Sequence, residues 1–410
     1  MKLKEGEIYL VKGKTTIELI DGEVEIIGKK VKKGETVYVP YGKTVPVEVL
    51  SDAEVNFDNY EKIPLRTIPP EWDEVVNRIL NENLKKVIVL GEVDTGKTFF
   101  STYLSNKIIE KGKKVGIIDA DLGQSDIGPP GTIGGVILEK QEIFLSEIPP
   151  TFLYFVGAHS PGLHFLPYIA GVLHVLNKLI NRVDVVIIDT PGWVQGDGGR
   201  AIRRCELEVV DPSCIILLQR NDEIEHLVKI YKDIPIIRLK VSKKASSTSQ
   251  EARKKLREEI ARKYFKNLQK ITLNFDEIET DRAYLLTGKK IEINDGNILH
   301  AELLSGWEGA LVVSERKLDI FEIEKLKKEI GVFRIKNIVK GKEKNLVVGL
   351  LDEKRDVLGL GIIQEIDYKN GKFHILTPFN EKDRIKIIQF GSIKLSENIE
   401  EAGFIEPGYF

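Results

Sequence analysis

The segment GEVDTGKT, Gly91 to Thr98, constrains this chain more than any other stretch of it. It meets the pattern G-x-x-x-x-G-K-[ST], whose glycines let backbone amides curl around phosphate oxygens at a helix N-terminus. Such a loop works only where a buried strand runs into it and a helix leaves it. Both flanks are present: Val87–Leu90 is an apolar run, and a helical pattern continues to about Lys111. Gly91, Glu92, Val93, Asp94, Thr95, Gly96, Lys97 and Thr98 are therefore read as a nucleoside triphosphate site. Lys97 is expected to reach the β- and γ-phosphates and Thr98 to sit on Mg²⁺.

The strand that feeds the loop needs neighbours. Strand-like runs at Val115–Ile118, Phe152–Val156, Val183–Ile188, Ile215–Leu218 and Ile234–Val241 alternate with helical patterns, which predicts a parallel α/β sheet. Upstream, short alternating runs such as EIYLVKG, TTIELIDG and ETVYVPYG are punctuated by glycine, as in a small sandwich or barrel. Ile63 to Trp72 is Pro-rich and reads as a linker, and a helix after it ends near Asn83. Beyond Leu273 alternation returns, with Asp-Gly and Asn-Gly turns. The predicted fold class is α/β: a central P-loop NTPase domain with a parallel sheet (63–273), an N-terminal β-sandwich (1–62) and a C-terminal β-rich domain (274–410). A chain of 410 residues has room for three such cores.

The net charge of −2 carries no global basic field, so any nucleic-acid signal must be local. Two cysteines, Cys205 and Cys214, make neither a disulfide framework nor a zinc site. No apolar run reaches the roughly 18 residues of a membrane span, and MKLKEGEIYL lacks a signal-peptide core. The expectation is a cytoplasmic protein with no membrane contact. Abundant Lys, Glu and Ile beside a single Met match a hyperthermophile's composition.

Two acidic strand ends compete for roles beside the phosphates. One, DADLGQSD, offers Asp119, Asp121, Gln124 and Asp126; the other, DTPGW, offers Asp189 followed by Thr190, Pro191, Gly192 and Trp193. Strand C-termini face the ligand crevice of a parallel sheet, so a carboxylate there can hold Mg²⁺ or take a proton from an attacking hydroxyl. Asp189–Gly192 also fits the D-x-x-G of GTPases, but Gln219-Arg220-Asn221-Asp222 lacks the Lys of a guanine reader. A kinase needs cations over the transferring phosphoryl group. The segment Arg238–Lys266 supplies eleven basic residues against three acidic ones, arranged as a Ser-rich loop and a basic helix.

Together GEVDTGKT, DADLGQSD, DTPGW and the R-x-x-x-x-R-x-Y-F ending of the basic helix resemble the polynucleotide 5′-hydroxyl kinases. That family includes the RNA kinase subunit of eukaryotic mRNA 3′-end cleavage machinery, and the β–α/β–β layout is similar to its archaeal-type members. The resemblance implies ATP as phosphate donor with Mg²⁺, and RNA or single-stranded DNA with a 5′-hydroxyl end as acceptor. It implies RNA-processing proteins as partners. Residue by residue it implies Asp121 as general base and Asp119 as support for metal-bound water. Thr190, Pro191, Gly192 and Trp193 become the segment clasping the RNA end, with Gln124 on substrate or the metal shell. Arg257 and Arg262 become the arginines closing over the triphosphate; a register one turn earlier puts Arg253 and Arg257 there instead. Two other classes stay open at this point: a GTPase or ATPase switch, and an ATP-binding scaffold. His159, His164 and His174 lack metal-ligand spacing. Ser160–Gly162 is either an acceptor-channel lining or a plain loop, and Arg200, Arg203 and Arg204 are either RNA contacts or structural pairs.

Overall fold

A computed structural model describes residues 1–242 and 249–410. Lys243, Lys244 and the Ser246–Thr248 part of the predicted Ser-rich loop lie outside the described residues. Among the described residues no helix is long and apolar enough to cross a membrane.

The central sheet has seven strands, and Lys86–Gly91, which feeds the phosphate loop, lies between Val185–Asp189 and Cys214–Gln219. Five strands are parallel, from Val115–Asp119 across to Ile236–Lys240. At the other edge Thr132–Leu138 and Phe152–Phe155 add as antiparallel strands. Thr132–Leu138 was not among the expected strands, because TIGGVIL carries two glycines that weaken any strand signal. Its fold needs them: a Cβ at Gly134 would stand 1.9 Å from the Ile127 carbonyl oxygen, and one at Gly135 2.4 Å from Val175.

Every residue of Val87–Gly91 is buried, and its side chains alternate between two cores. Val87 and Val89 join one core, Ile88 and Leu90 the other. Among the described residues six α-helices serve the three parts: α1 (Glu71–Asn81), α2 (Lys97–Glu110), α3 (Phe165–Leu179), α4 (Gly196–Val210), α5 (Gln250–Tyr264) and α6 (Ile320–Ile330). The Val87 face packs with α1, α2 and the whole N-terminal sandwich in a single cluster, so that sandwich is welded to the phosphate-loop side. The Ile88 face packs under α3 and α4. The sandwich itself consists of a four-stranded and a five-stranded sheet.

The C-terminal part holds a seven-stranded sheet and a four-stranded sheet. Gln269–Asn274 pairs with Lys372–Thr377 of the larger sheet, so the boundary drawn at residue 273 falls inside one of its strands. α6 interrupts the expected β pattern between two parallel strands, Gly309–Ser314 and Arg334–Val339, a connection that needs a crossover. Its signal was in the sequence: Asp319 and Glu322 form a capping box, and Gly331 ends the helix at φ 77°.

Candidate active site

A cleft of about 810 Å³ opens where the phosphate loop, the loop after Val115–Asp119 and α5 meet a hairpin of the N-terminal sandwich. The phosphate loop takes its shape from local constraints. Gly96 sits at φ 86° and Asp94 at φ 59°, both in the left-handed region. At Gly91 a Cβ would lie 2.5 Å from the Thr95 hydroxyl and 2.7 Å from the Leu218 carbonyl oxygen, so no larger residue fits. The Glu92 carbonyl accepts from the Thr95 hydroxyl at 2.9 Å and from Lys97 Nζ at 2.8 Å. Burial lowers the Lys97 ammonium from its ordinary range, opposed by Asp189 and Asp121. The Glu92 side chain points elsewhere, accepting from Gln195 at 3.0 Å; Val93 packs on Gly192, whose Cβ would meet its amide nitrogen at 2.5 Å.

Asp119 and Asp189 stand level on adjacent strands, but the fold gives them different work. Asp119 accepts from the amides of Asp121 (3.0 Å), Asp126 (2.5 Å) and Ile127 (3.0 Å) and from the Ser125 hydroxyl (3.2 Å). Both Asp119 oxygens thus take part in shaping the loop, and Asp189 rather than Asp119 lines the cleft, which weighs against the expected support of metal-bound water by Asp119. Asp189 instead accepts from the Thr98 hydroxyl through Oδ2 at 2.6 Å, and its buried Oδ1 has no partner among the described residues. Burial pushes this carboxyl up to about 7. A hydroxyl beside a buried carboxylate with one unsatisfied oxygen fits a divalent cation, which would satisfy that oxygen and offset the burial.

Asp121 lines the same cleft. Its Oδ1 accepts from the amides of Gly123 (3.0 Å) and Gln124 (3.1 Å), which fixes the carboxylate's orientation. Gln124 also lines the cleft, its amide donating to the Gly123 and Arg253 carbonyls at 2.9 and 3.3 Å. The neighbouring Asp126 is gripped by Lys43 of the N-terminal hairpin at 2.9 Å, a residue no sequence signal marked.

The expected clasp splits in two. Thr190 and Gly192 of this segment line the cleft, and the Thr190 hydroxyl is taken up locally, donating to the Val89 carbonyl at 2.7 Å. Pro191 is buried. Trp193 is half-buried over Gly198 and Gly199 at the start of α4, with the Phe165 ring 5.8 Å away. Arg203 is no RNA contact: it is fully buried and paired with Glu206.

The arginine assignment also changes. Arg257 Nε donates to Glu401 at 2.5 Å, and Arg262 reaches Glu400 at 3.1 Å and the Asn398 carbonyl at 3.3 Å. Both face the C-terminal part, not the cleft. One turn earlier on α5, Arg253 meets the phosphate loop itself, its guanidinium 2.6 Å from Asp94. Lys263 lines the far side of the cleft, donating to the Ser146 carbonyl at 2.9 Å. The helix spans the gap between loop and C-terminal sheet, and the position of its axis decides which arginine meets which neighbour.

The sequence model of the family described as mRNA cleavage and polyadenylation factor CLP1 P-loop matches residues 91–267. A polyribonucleotide 5′-hydroxyl-kinase of Pyrococcus abyssi is 34% identical over 327 residues, covering 78% of this chain and 90% of that protein. One of Methanocaldococcus jannaschii is 33% identical over 332 residues, with the same coverage of 78% and 90%. The polyribonucleotide 5′-hydroxyl-kinase Clp1 of Xenopus laevis is 27% identical, covering 61% of this chain and 62% of its own. Among solved structures, wild-type Clp1p in complex with Pcf11p (454–563) superposes with a TM-score of 0.67 at 14% identity. It covers 96% of this chain and 97% of that one, so the fold is shared end to end.

Proposed function

We infer the reaction from one premise: the chain belongs to the polyribonucleotide 5′-hydroxyl-kinase family. It transfers the γ-phosphoryl group of ATP to the 5′-hydroxyl of RNA. The observation that carries the placement is that Asp121 opens on the same cleft as Lys97 and Thr98. An oriented carboxylate there can serve an attacking hydroxyl or an attacking water; the named kinase relatives are what favour the hydroxyl over a hydrolytic switch.

In this reading the Gly91–Thr98 amides and Lys97 hold the β- and γ-phosphates. Asp121 takes the proton of the attacking hydroxyl, its geometry set by the Gly123 and Gln124 amides. Thr98 and Asp189 hold Mg²⁺, which when bound neutralises charge on the transferring group. Arg253 supplies the nearby cation of α5. Trp193 offers a ring for the acceptor's terminal base. An RNA-processing partner protein is part of the same proposal, by likeness to the Clp1p–Pcf11p complex. Positioning dominates, because no covalent enzyme intermediate is required.

Incubation with γ-labelled ATP and a 5′-hydroxyl oligoribonucleotide tests the reading. Label on the RNA supports it; free phosphate alone supports a switch, and neither supports a scaffold. A parallel 5′-hydroxyl DNA strand reads acceptor range. Within this assay Arg253→Ala is expected to lower kcat by about 10²-fold, the scale of losing one preorganised charge donor. Arg262→Ala, remote from the cleft, is expected to leave kcat near wild type. The reverse ranking would restore the sequence-based assignment.

A further inference from the structure

Large apolar side chains left exposed one at a time need no explanation, but clustered ones do. Between the central domain and the C-terminal part several gather. Leu163 is 74% exposed, Leu166 84%, and Phe404, on the strand Glu401–Phe404, 52%. The two leucines flank His164 and Phe165 in the chain, and ring contacts tie that pair to its neighbours: Phe165 to Trp193 at 5.8 Å, and His164 to Phe404 at 6.5 Å.

The cluster is built rather than loose. His164 is buried, its Nε2 3.0 Å from the Ser392 hydroxyl, and its amide donates to the Pro161 carbonyl at 2.8 Å. The Ser392 amide donates to the Gly157 carbonyl at 2.8 Å, pinning the loop's other end. Leu163 itself stands at φ 62°, a left-handed conformation unfavourable for leucine. The fold thus holds an apolar side chain outward at a cost.

Its location says what covers it. The His159 carbonyl oxygen lies so near Gly123 that a Cβ there would come within 2.9 Å, and the Gly123 amide binds Asp121. The segment that leads to Leu163 therefore starts beside Asp121, and Leu163, four residues from His159, is no more than about 14 Å of chain away. In-line transfer puts the acceptor opposite the triphosphate. An RNA whose 5′-hydroxyl reaches Asp121 must lay its next nucleotides on the adjoining surface.

Resting on the kinase reading above, we propose that Leu163, Leu166 and Phe404 extend Trp193 into a ledge for the nucleobases that follow the 5′ end of a single-stranded RNA. Apolar surface without donors takes any base face, so the ledge is sequence-tolerant. It favours single strands, because the bases of a duplex are already stacked on one another.

The test is binding, read apart from catalysis. A 5′-hydroxyl single-stranded oligoribonucleotide, labelled at its 3′ end, is titrated with the full chain by fluorescence anisotropy, without nucleotide. Leu166→Ser combined with Phe404→Ala is expected to raise Kd about tenfold, the scale of losing one base-stacking contact. Binding to a blunt RNA duplex should not change. Ile320→Ser, another exposed apolar site at 76% but on α6, serves as the control and should bind as wild type. The proposal falls if the double variant binds the single strand as wild type does, or weakens on duplex equally. It falls as well if only self-association shifts in sedimentation, which would assign the face to a second copy of the chain. A wild-type chain that binds by this ledge yet transfers no label would sink the kinase reading alone; transfer with unchanged Kd in the variant would sink the ledge alone.

Discussion

Asp121→Asn is expected to slow phosphoryl transfer to a 5′-hydroxyl by about 10²- to 10⁴-fold, the usual contribution of a general base, while ATP affinity stays near wild type. The substitution separates chemistry from architecture because of what Asp121 does in the fold. Its Oδ1 accepts the Gly123 and Gln124 amides, and an asparagine oxygen can accept the same two bonds. The loop keeps its shape and the nucleotide site is untouched, but a neutral amide does not take the hydroxyl proton. Single-turnover transfer beside calorimetric ATP binding checks both halves. Transfer near the wild-type rate would remove Asp121 from the base role, and lost ATP binding would make it structural.

Asp189→Asn should act on the donor side, with transfer reduced about 10³-fold if it removes several kcal/mol of metal-borne charge stabilisation. A second readout distinguishes a metal ligand from a mere packing residue. Burial raises the folded-state value of Asp189 to about 7, from an ordinary 3.8. The stability this group contributes is therefore full below the ordinary value and is lost as pH rises through about 7, where ionising it costs the folded state. Asparagine has no such loss. In metal-free buffer the variant's thermal midpoint should accordingly gain on wild type as pH climbs from about 3.8 to about 7 and hold level above that, and Mg²⁺ with nucleotide should close the gap by stabilising wild type alone. A gap that ignores Mg²⁺ would count against the metal assignment.

The legibility of this chain divides along the range of the interactions involved. The phosphate loop was readable because its geometry is a property of eight consecutive residues and their backbone, and its flanks announce a strand and a helix. The three-part layout was readable for the same reason: periodicity switches from two to 3.6 and back along the chain. Thr132–Leu138 escaped because glycines that a strand requires for close packing also erase its local signature. α6 escaped despite a capping box that stood in plain view.

The active site is where local reading gave way. Sequence alone determined that Gly91–Thr98 forms a P-loop pattern between a strand and a helix, that two acidic strand ends accompany it, and that a basic helix follows. It could not rank Asp119 against Asp189, since both end buried strands at one level; the fold closes four loop donors on Asp119 and leaves Asp189 Oδ1 without a partner among the described residues. Nor could it place the arginines. Arg253 and Arg257 lie one helical turn apart, and only the axis of α5 against two domains assigns the first to Asp94 and the second to Glu401. Lys43 arrives from a separate sandwich, carried there by a shared core. Contacts between neighbours in sequence are set by the backbone they share, whereas these depend on how distant surfaces pack, and that was decided only when the whole chain folded.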